Sequence, residues 1–485
     1  MVTLNDILQN VDTLKVIGSV TLSVKAIQFD SRKIKPNNLF IAINGYETDG
    51  HKYIDSAISK GANSILCEVL PKNINNNITY IVVEDSSYVL GVVSSNYYNN
   101  PSSKLKLVGI TGTNGKTTTV TLLYRLFKNL GYKTGLLSTI RNYIDDVEIE
   151  ATHTTPDPIQ LNKLLSLMVD KGCSYCFMEV SSHALSQNRV AGLQFAGAVF
   201  TNITQDHLDY HKTFAEYIKA KKLLFDNLPK TAFALVNIDD KNGSIMLQNT
   251  KAKKHTLALK SMANFKVRIL ESHIDGMLLI IDNVEVWTYF IGGFNAYNIL
   301  SVYSVAMLLG QDKDDVISKI SLLKSVDGRF QYIKSKGGKL AIVDYAHTPD
   351  AIKNVLLTIK DINNGEHKVI TVIGAGGNRD KTKRPLMAEI AVKMSDRVIL
   401  TSDNPRNEKP EDIIEDMRKG VLPPFNSRLL EIINRKEAIK TACMLAQKGD
   451  IILVAGKGHE TYQEIEGIKH HFDDSEVINK IFETE

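Results

Sequence analysis

From residue 105 onward the chain alternates short apolar runs with longer stretches that are apolar on one helical face only. The runs L-V-G-I-T, T-G-L-L-S, F-M-E-V, A-V-F-T-N-I and A-L-V-N-I-D have the length and apolar density of buried strands, and residues from about 116 to 130 carry a helical period after the first of them. Strand, loop and helix in repeated alternation predict a largely parallel, doubly wound sheet. Residues 254 to 292 instead alternate with a period of two around Asp275-Gly276, which predicts antiparallel hairpins at the end of this unit, and a helix from about 295 to 309 follows. Near Asp327-Gly328-Arg329 the pattern restarts. The runs A-I-V-D-Y-A, V-I-T-V-I-G, R-V-I-L-T-S and I-I-L-V-A-G are separated by helical stretches at 349 to 361, 381 to 394 and 435 to 448, a second Rossmann-like unit.

The first hundred residues mix short strands and helices (A-I-Q-F-D-S-R, N-L-F-I-A-I, S-I-L-C-E-V) and end in the turn-rich stretch N-N-P-S-S-K. The expected organisation is α/β throughout, in three domains: a small α/β domain over 1–103, a doubly wound domain over 104–327 and a Rossmann-like domain over 328–485. A length of 485 residues independently suggests about three cores. The only low-complexity segment, K-N-I-N-N-N-I, reads as a surface loop, and the chain has no internal repeat.

Composition narrows the function classes. With 43% hydrophobic residues, 23% charged residues and a net charge of +4, the chain has no basic stripe, so nucleic acid is not an expected partner. No apolar run reaches the roughly 18 residues of a membrane span, and Asp6 interrupts the N-terminus where a signal peptide would be apolar. A cytoplasmic monomer is expected. The four cysteines are too few for a disulfide framework, and Cys173 and Cys176 lack the second pair that zinc would need, so both are expected to be structural.

Ligands bind open parallel sheets where strands end, and the polar residues of this chain collect there. After L-V-G-I comes G-I-T-G-T-N-G-K-T-T-T. The standard phosphate loop would place its first glycine at position 110, which is Ile, so the turn falls to Gly112 and Gly115. Lys116 then supplies a point charge and Thr117 a hydroxyl for Mg2+. The next strand ends are Glu179-Val180-Ser181-Ser182-His183 and Thr204-Gln205-Asp206-His207, which direct metal-type ligands to the same sheet edge. In T-F-A-E-Y-I-K-A-K-K-L-L-F, Lys221 falls on the apolar stripe of Phe214, Tyr217, Ile218, Leu224 and Phe225, with Lys222 and Lys219 progressively further off it. Two readings stay open here: a solvated lysine whose stem snorkels, or a buried amine that loses its charge and adds CO2. The third domain carries Asp344-Tyr345-Ala346-His347, Gly376-Gly377-Asn378-Arg379, Asp403-Asn404-Pro405-Arg406 and Gly456-Lys457-Gly458-His459-Glu460, which together point to a polar ligand.

The stretches G-T-N-G-K-T-T-T, M-E-V-S-S-H, T-N-I-T-Q-D-H-L-D-Y-H, A-K-K-L-L-F, F-N-A-Y-N, D-Y-A-H-T-P-D, G-G-N-R-D-K-T-K-R-P, D-N-P-R and G-K-G-H-E, in this order over essentially the whole chain, resemble the Mur ligases, and within them the UDP-N-acetylmuramoyl-tripeptide synthetases. The family's phosphate loop is the shorter G-T-N-G-K-T form. The resemblance implies an N-terminal domain for the uridine nucleotide, a central ATPase domain and a C-terminal domain for the incoming amino acid. It also implies ATP-driven ligation of an amino acid to UDP-N-acetylmuramoyl-L-alanyl-D-glutamate through an acyl phosphate. Carried onto this sequence, Lys116, Glu179, His207, Lys221 and His347 would be catalytic. Thr117, Glu179, His207 and a carbamylated Lys221 would organise Mg2+. ATP would meet Gly112, Thr113, Asn114, Gly115, Lys116, Thr117, Thr118, Asn295, Asn298, Arg329 and Asp344. Ser31, Thr154, Thr155, Ser181, Gln187 and Arg189 would hold the UDP-sugar dipeptide, and G-Y-E-T-D-G-H adds a less diagnostic N-terminal match. Arg379, Asp403, Asn404, Arg406, Gly456 and Glu460 would hold the amino acid. Lys409 departs from the family, where an acidic residue is common.

Lysine and meso-2,6-diaminopimelate differ by one distal carboxylate, and the Arg406 fork in D-N-P-R suits it, which favours diaminopimelate. The alternatives are the same ligation with lysine, a folylpolyglutamate synthetase, and a nucleotide-dependent regulatory switch on the same folds.

Overall fold

The computed structural model describes residues 2–45, 48–151, 153–363 and 365–484. Tyr46 and Glu47 of G-Y-E-T-D-G-H therefore lie outside the described residues.

Three main sheets organise the chain. The first is five-stranded and mixed, with Thr79–Val82 and Ala62–Cys67 at its centre, Asn38–Ile41 and Ala26–Gln28 on one side and Lys15–Ile17 antiparallel at the other edge. The second has eleven strands. Its middle is the parallel trio Gly197–Phe200, Lys106–Thr111 and Tyr175–Glu179. It runs outward on one side through Phe233–Asn237, Lys253–Ala258, Phe265–His273, Gly276–Ile281 and Val284–Thr288, and on the other through Thr134–Leu137, Arg141–Ile144 and Val147–Glu150. Apolar side chains from both faces of these strands are buried, as near-continuous apolar runs require. The helices Lys116–Asn129 and Gly293–Leu308 cover one face, and Pro158–Asp170 and Phe214–Asp226 cover the other.

The period-two segment is antiparallel only from Phe265 onward. Lys253–Ala258 pairs parallel to Phe233–Asn237 and to the start of Phe265–His273. Along Lys253–Ala258 burial rises from exposed Lys253 and Lys254 to buried Leu257 and Ala258 without alternating, so the period of two does not extend to this strand.

The third sheet has six strands in the order Gln331–Lys334, Leu340–Asp344, Ile451–Ala455, Val369–Ile373, Arg397–Leu400 and Leu429–Glu431, parallel except for the first. Helices Pro349–Asn363, Lys383–Met394 and Pro410–Arg418 pack on one face, and Arg435–Leu445 and Asp474–Glu483 on the other. Two buried arginines stitch this domain. Arg435 forms a bidentate pair with Asp474, both fully buried, and Arg384 holds Glu408 and Asp416 while donating to Gly376 O. All four cysteines are buried and none forms a disulfide, as expected of structural thiols. Among the described residues no helix is long and apolar enough to cross a membrane.

Candidate active site

The loop between Lys106–Thr111 and Lys116–Asn129 turns at its two glycines for steric reasons. A Cβ on Gly112 would lie 1.9 Å from Thr201 Oγ1, and one on Gly115, whose φ is 86°, would lie 2.6 Å from Asn298 Oδ1. The loop is fastened to the neighbouring strand end, since Thr113 N donates to Asn202 O and Asn114 N to Asn202 Oδ1. Lys116 opens the helix and folds back, its Nζ donating to Gly112 O at 2.9 Å and Thr113 O at 2.8 Å. Burial holds its ammonium below the ordinary lysine range, against the pull of Glu179 and Asp206. Thr117 and Thr118 follow on the first turn, and Thr117 Oγ1 accepts from Arg329 Nη2 at 3.1 Å, a bond from the third domain to the loop helix.

Glu179 ends its strand fully buried. Its Oε1 accepts from Thr139 N at 2.8 Å, while among the described residues Oε2 is buried with no hydrogen-bond partner. Lys221, 1% exposed, reaches the phosphate loop, donating to Gly112 O at 2.8 Å and lying 4.6 Å from the Tyr217 ring centre. Burial and the adjacent Lys116 charge push its amine well down, with Asp206 opposing. The stripe therefore buries Lys221 rather than letting it snorkel. Lys222 is buried too, contrary to its off-stripe position, because Asp226 one turn later accepts two bonds from its Nζ. Lys219 stays exposed. His207, at a φ of 55°, packs edge-on against His183 and sits 3.4 Å from Asp206; burial pushes its imidazole down, so the ring is neutral near pH 7.

The third domain closes the opposite wall. Asp344 is buried, and its carboxylate oxygens accept from Phe330 N and Ala346 N, both at 2.7 Å. These bonds brace the turn that carries Arg329, whose guanidinium stacks over Tyr345 at 4.5 Å. His347 Nδ1 donates to Tyr345 O at 2.8 Å, and burial together with Lys383 pushes the imidazole down to about 4. Arg406, with a φ of 53°, donates from Nη1 to Gly377 O at 2.8 Å and keeps Nε 3.4 Å from Glu464. Gly456 leaves no room for a side chain beside Asp403 Oδ2.

These walls enclose one cavity of about 1040 Å3. It is lined by Thr113 to Thr118, Thr154, Thr155, Glu179, Ser181, Arg189, His207, Lys221, Asn295, Asn298, Arg329, Asp344 and His347, and by Arg379, Asp403, Asn404, Arg406, Gly456 and Glu460. Gly112, Gln187 and Ser31 do not line it. Gly112 lies behind the loop and receives the two lysines. Gln187 braces Arg189 through bonds from Nε and Nη2. Ser31 sits in a buried turn of the first domain, its carbonyl accepting from Lys60. Lys409 is exposed and outside the cavity.

Motif reading left Asp206, His183, Asp350 and Lys383 without roles, yet all four line the cavity. Lys383 Nζ lies 3.9 Å from Asp206 Oδ1, an ion pair from the third domain to the central one. Both stand inside the quoted stretches T-Q-D-H and K-T-K-R-P, but only the packing of two domains puts them together. Among the described residues no group of three or more His, Cys, Asp or Glu gathers as a preformed metal cage.

Comparison with known proteins decides the family. Residues 23–108 match the model described as Mur ligase family, catalytic domain; residues 110–306 match the Mur ligase middle domain; and residues 328–458 match the Mur ligase, glutamate ligase domain. A UDP-N-acetylmuramoyl-L-alanyl-D-glutamate--2,6-diaminopimelate ligase of Phocaeicola vulgatus is 57% identical over 99% of this chain and 100% of its own length. The chain belongs to the Mur ligase family. A ligase of the same name from Bacteroides fragilis is 56% identical over 99% of both chains. A solved structure of a UDP-N-acetylmuramoyl-L-alanyl-D-glutamate--2,6-diaminopimelate ligase superposes with a TM-score of 0.70 at 32% identity, covering 100% of this Mur ligase and 99% of that chain. The three-domain α/β architecture expected from the sequence is that of the family.

Proposed function

We propose that this Mur ligase uses ATP to join meso-2,6-diaminopimelate to UDP-N-acetylmuramoyl-L-alanyl-D-glutamate in the synthesis of the peptidoglycan precursor. One observation carries the reading: a phosphate-binding loop and a set of carboxylate- and ammonium-recognising side chains face each other across a single cavity. The activity for which relatives 56 to 57% identical over 99% of this chain are named supports the choice of substrates. Residues 1–103 would hold the uridine nucleotide, 104–327 the ATP and 328–485 the amino acid, in a cytoplasmic monomer.

The free carboxylate of the dipeptide attacks the γ-phosphorus of ATP, ADP leaves, and the resulting acyl phosphate is attacked by an amine of diaminopimelate. The tetrahedral intermediate expels phosphate as the amine loses its proton. Lys116 and the loop N–H groups offset the charge that gathers between two anionic reactants, and Arg329 adds a second cation from the third domain. Thr154, Thr155, Ser181 and Arg189 bind and orient the dipeptide, and His347 stands where the two domains meet.

The residues present fit Mg2+. Among the described residues Glu179 Oε2 is buried without a partner, the Thr117 hydroxyl stands on the first helical turn after the loop, and His207 presents a neutral ring. A hard cation bound by one or two protein oxygens takes the rest of its shell from phosphate and water, so no preformed cage is needed. When bound, Mg2+ supplies charge neutralisation at the phosphates.

Lys221 completes this set as its carbamate. A neutral amine attacks CO2, forming an N–C bond and releasing one proton, and burial beside the Lys116 charge shifts Lys221 toward that neutral form.

The test is ATP turnover in the purified chain. Release of ADP and phosphate only when UDP-dipeptide and diaminopimelate are both present is the expected result. Turnover indifferent to both would favour a nucleotide-dependent switch.

A further inference from the structure

The Lys457 side chain is fully buried beneath the third-domain wall and does not line the cavity. Its Nζ donates to Asn404 Oδ1 at 3.1 Å and to Glu460 Oε2 at 3.2 Å. Asn404 is thereby committed. Its Oδ1 also accepts from Glu464 N at 2.9 Å, and its Nδ2 donates to Glu460 Oε2 at 2.7 Å. The amide can point only one way, because an ammonium must meet its oxygen and a carboxylate its nitrogen. Asn404 thus faces the protein with these atoms, and the Glu460 carboxylate is held at one oxygen by both Asn404 and Lys457.

Asp403 stands next to this group, with its Oδ1 accepting from Asn404 N and its Oδ2 against Gly456. Two carboxylates therefore share a nearly dry wall, and Lys457 is the cation that touches one of them from behind. Burial and the Asp403 charge push the Glu460 carboxyl up, and Lys457 works against both. Without the lysine, nothing would offset from behind the burial and the Asp403 charge that push the Glu460 carboxyl up, and its attraction for an ammonium group would weaken.

We propose that Lys457 is a positioning residue for the amino-acid substrate: through Asn404 it fixes the Glu460 carboxylate so that it receives an ammonium group of the incoming diamino acid. The inference rests on the ligase reading. It makes recognition of the ammonium, rather than the chemical step, depend on Lys457.

The test uses the full chain in steady-state ligation, with Lys457→Met, Glu460→Gln and the double variant. Lys457→Met should raise KM for meso-diaminopimelate about tenfold or more, leave kcat at saturation within about threefold, and leave KM for ATP and UDP-dipeptide unchanged. The double variant should be no worse than Glu460→Gln alone, because residues acting as a unit are not additive. Additive losses, or an equal rise in all three KM values, would overturn the proposal. Lys457→Gln keeps a donor for Asn404 and serves if the Met variant does not fold; loss of folded protein in both makes the lysine purely structural and also overturns it. A parent that ligates diaminopimelate with an indifferent Lys457→Met sinks only the role of Lys457, whereas a parent that does not ligate it sinks the ligase reading.

Discussion

The two walls of the cavity are built by different means. On the central domain, the phosphate side is a main-chain structure: two glycines permit the turn, Asn202 fastens it, and Lys116 and Lys221 are both tied to loop carbonyls. On the third domain, the wall is made of charged side chains that hold one another, as Arg406 does with Glu464, and Lys457 with Asn404 and Glu460. A main-chain cradle needs only a short run of the right residue types, so it is local in sequence. A side-chain wall is assembled from four separate strand ends and depends on partners far apart in the chain.

The largest effect should come from the central wall. Lys221→Ala should lower ligation by about a thousandfold while the thermal midpoint is kept, and a small carboxylic acid such as acetate should restore part of the activity. No such acid should rescue variants of the third-domain wall. Near-normal turnover in Lys221→Ala would break the contrast.

Next is the amino-acid side. Lysine in place of diaminopimelate would leave the Arg406 guanidinium without its carboxylate, at a cost of about 1.5 to 3 kcal/mol per lost charged hydrogen bond, or about 10- to 150-fold in kcat/KM. The parent should prefer diaminopimelate strongly, and Arg406→Ala should lose most of that preference. Because Gly377 O already takes one bond from Arg406, the variant should also loosen the G-G-N-R turn, seen as faster proteolysis there.

A smaller effect sharpens the main-chain claim. Gly112→Ala places a methyl against Thr201 Oγ1 and should cost about 1 to 3 kcal/mol of loop strain, read as roughly tenfold poorer use of ATP. Thr201→Ala in the same chain should recover part of it. The diaminopimelate preference should not change in either.

The smallest effect is in pH. Burial pushes His347 down to about 4 and His459 to about 3, both from 6.5. As pH falls below about 6.5 the unfolded chain takes up protons that the folded chain refuses, so stability is lost with acidification until the folded groups also titrate. The thermal midpoint should drop between pH 6.5 and 4, and His347→Gln should shrink that drop by roughly 2 °C. An unchanged slope would mean that His347 is not buried as a neutral ring in solution.

The contrast also accounts for what the sequence made legible. The phosphate loop, Glu179, His207 and the D-N-P-R stretch end up at one cavity because each stands at a strand end, and strand ends can be read from local periodicity. The Lys221 burial was open in the sequence and is decided by the packing of Phe214–Asp226 against the sheet. Lys222 could not be placed from its stripe because Asp226 changes the cost of burying it. Asp344 carried the right position, but its bonds to Phe330 and Ala346 show a brace for the Arg329 turn, a task that only the fold reveals. The parallel direction of Lys253–Ala258 was invisible for the reason that a pattern of apolar and polar positions encodes faces, not directions. The Lys383 and Asp206 pair is invisible in another way, since it joins residues of two domains.

Eleven strands in one open sheet leave two free edges, and a chain that assembles such a sheet from distant parallel partners must expose those edges while it folds. Both margins are hairpin strands, quick to form from neighbouring residues. Val147–Glu150 presents Glu148 and Glu150 outward, and Val284–Thr288 presents Glu285. Carboxylates at a sheet margin repel the same margin of a second copy. The hairpins therefore act as selvedges: they finish the fabric on both sides before other molecules can be woven on to it, and removing their acidic residues should show first as lost yield of soluble protein during refolding rather than as lost activity.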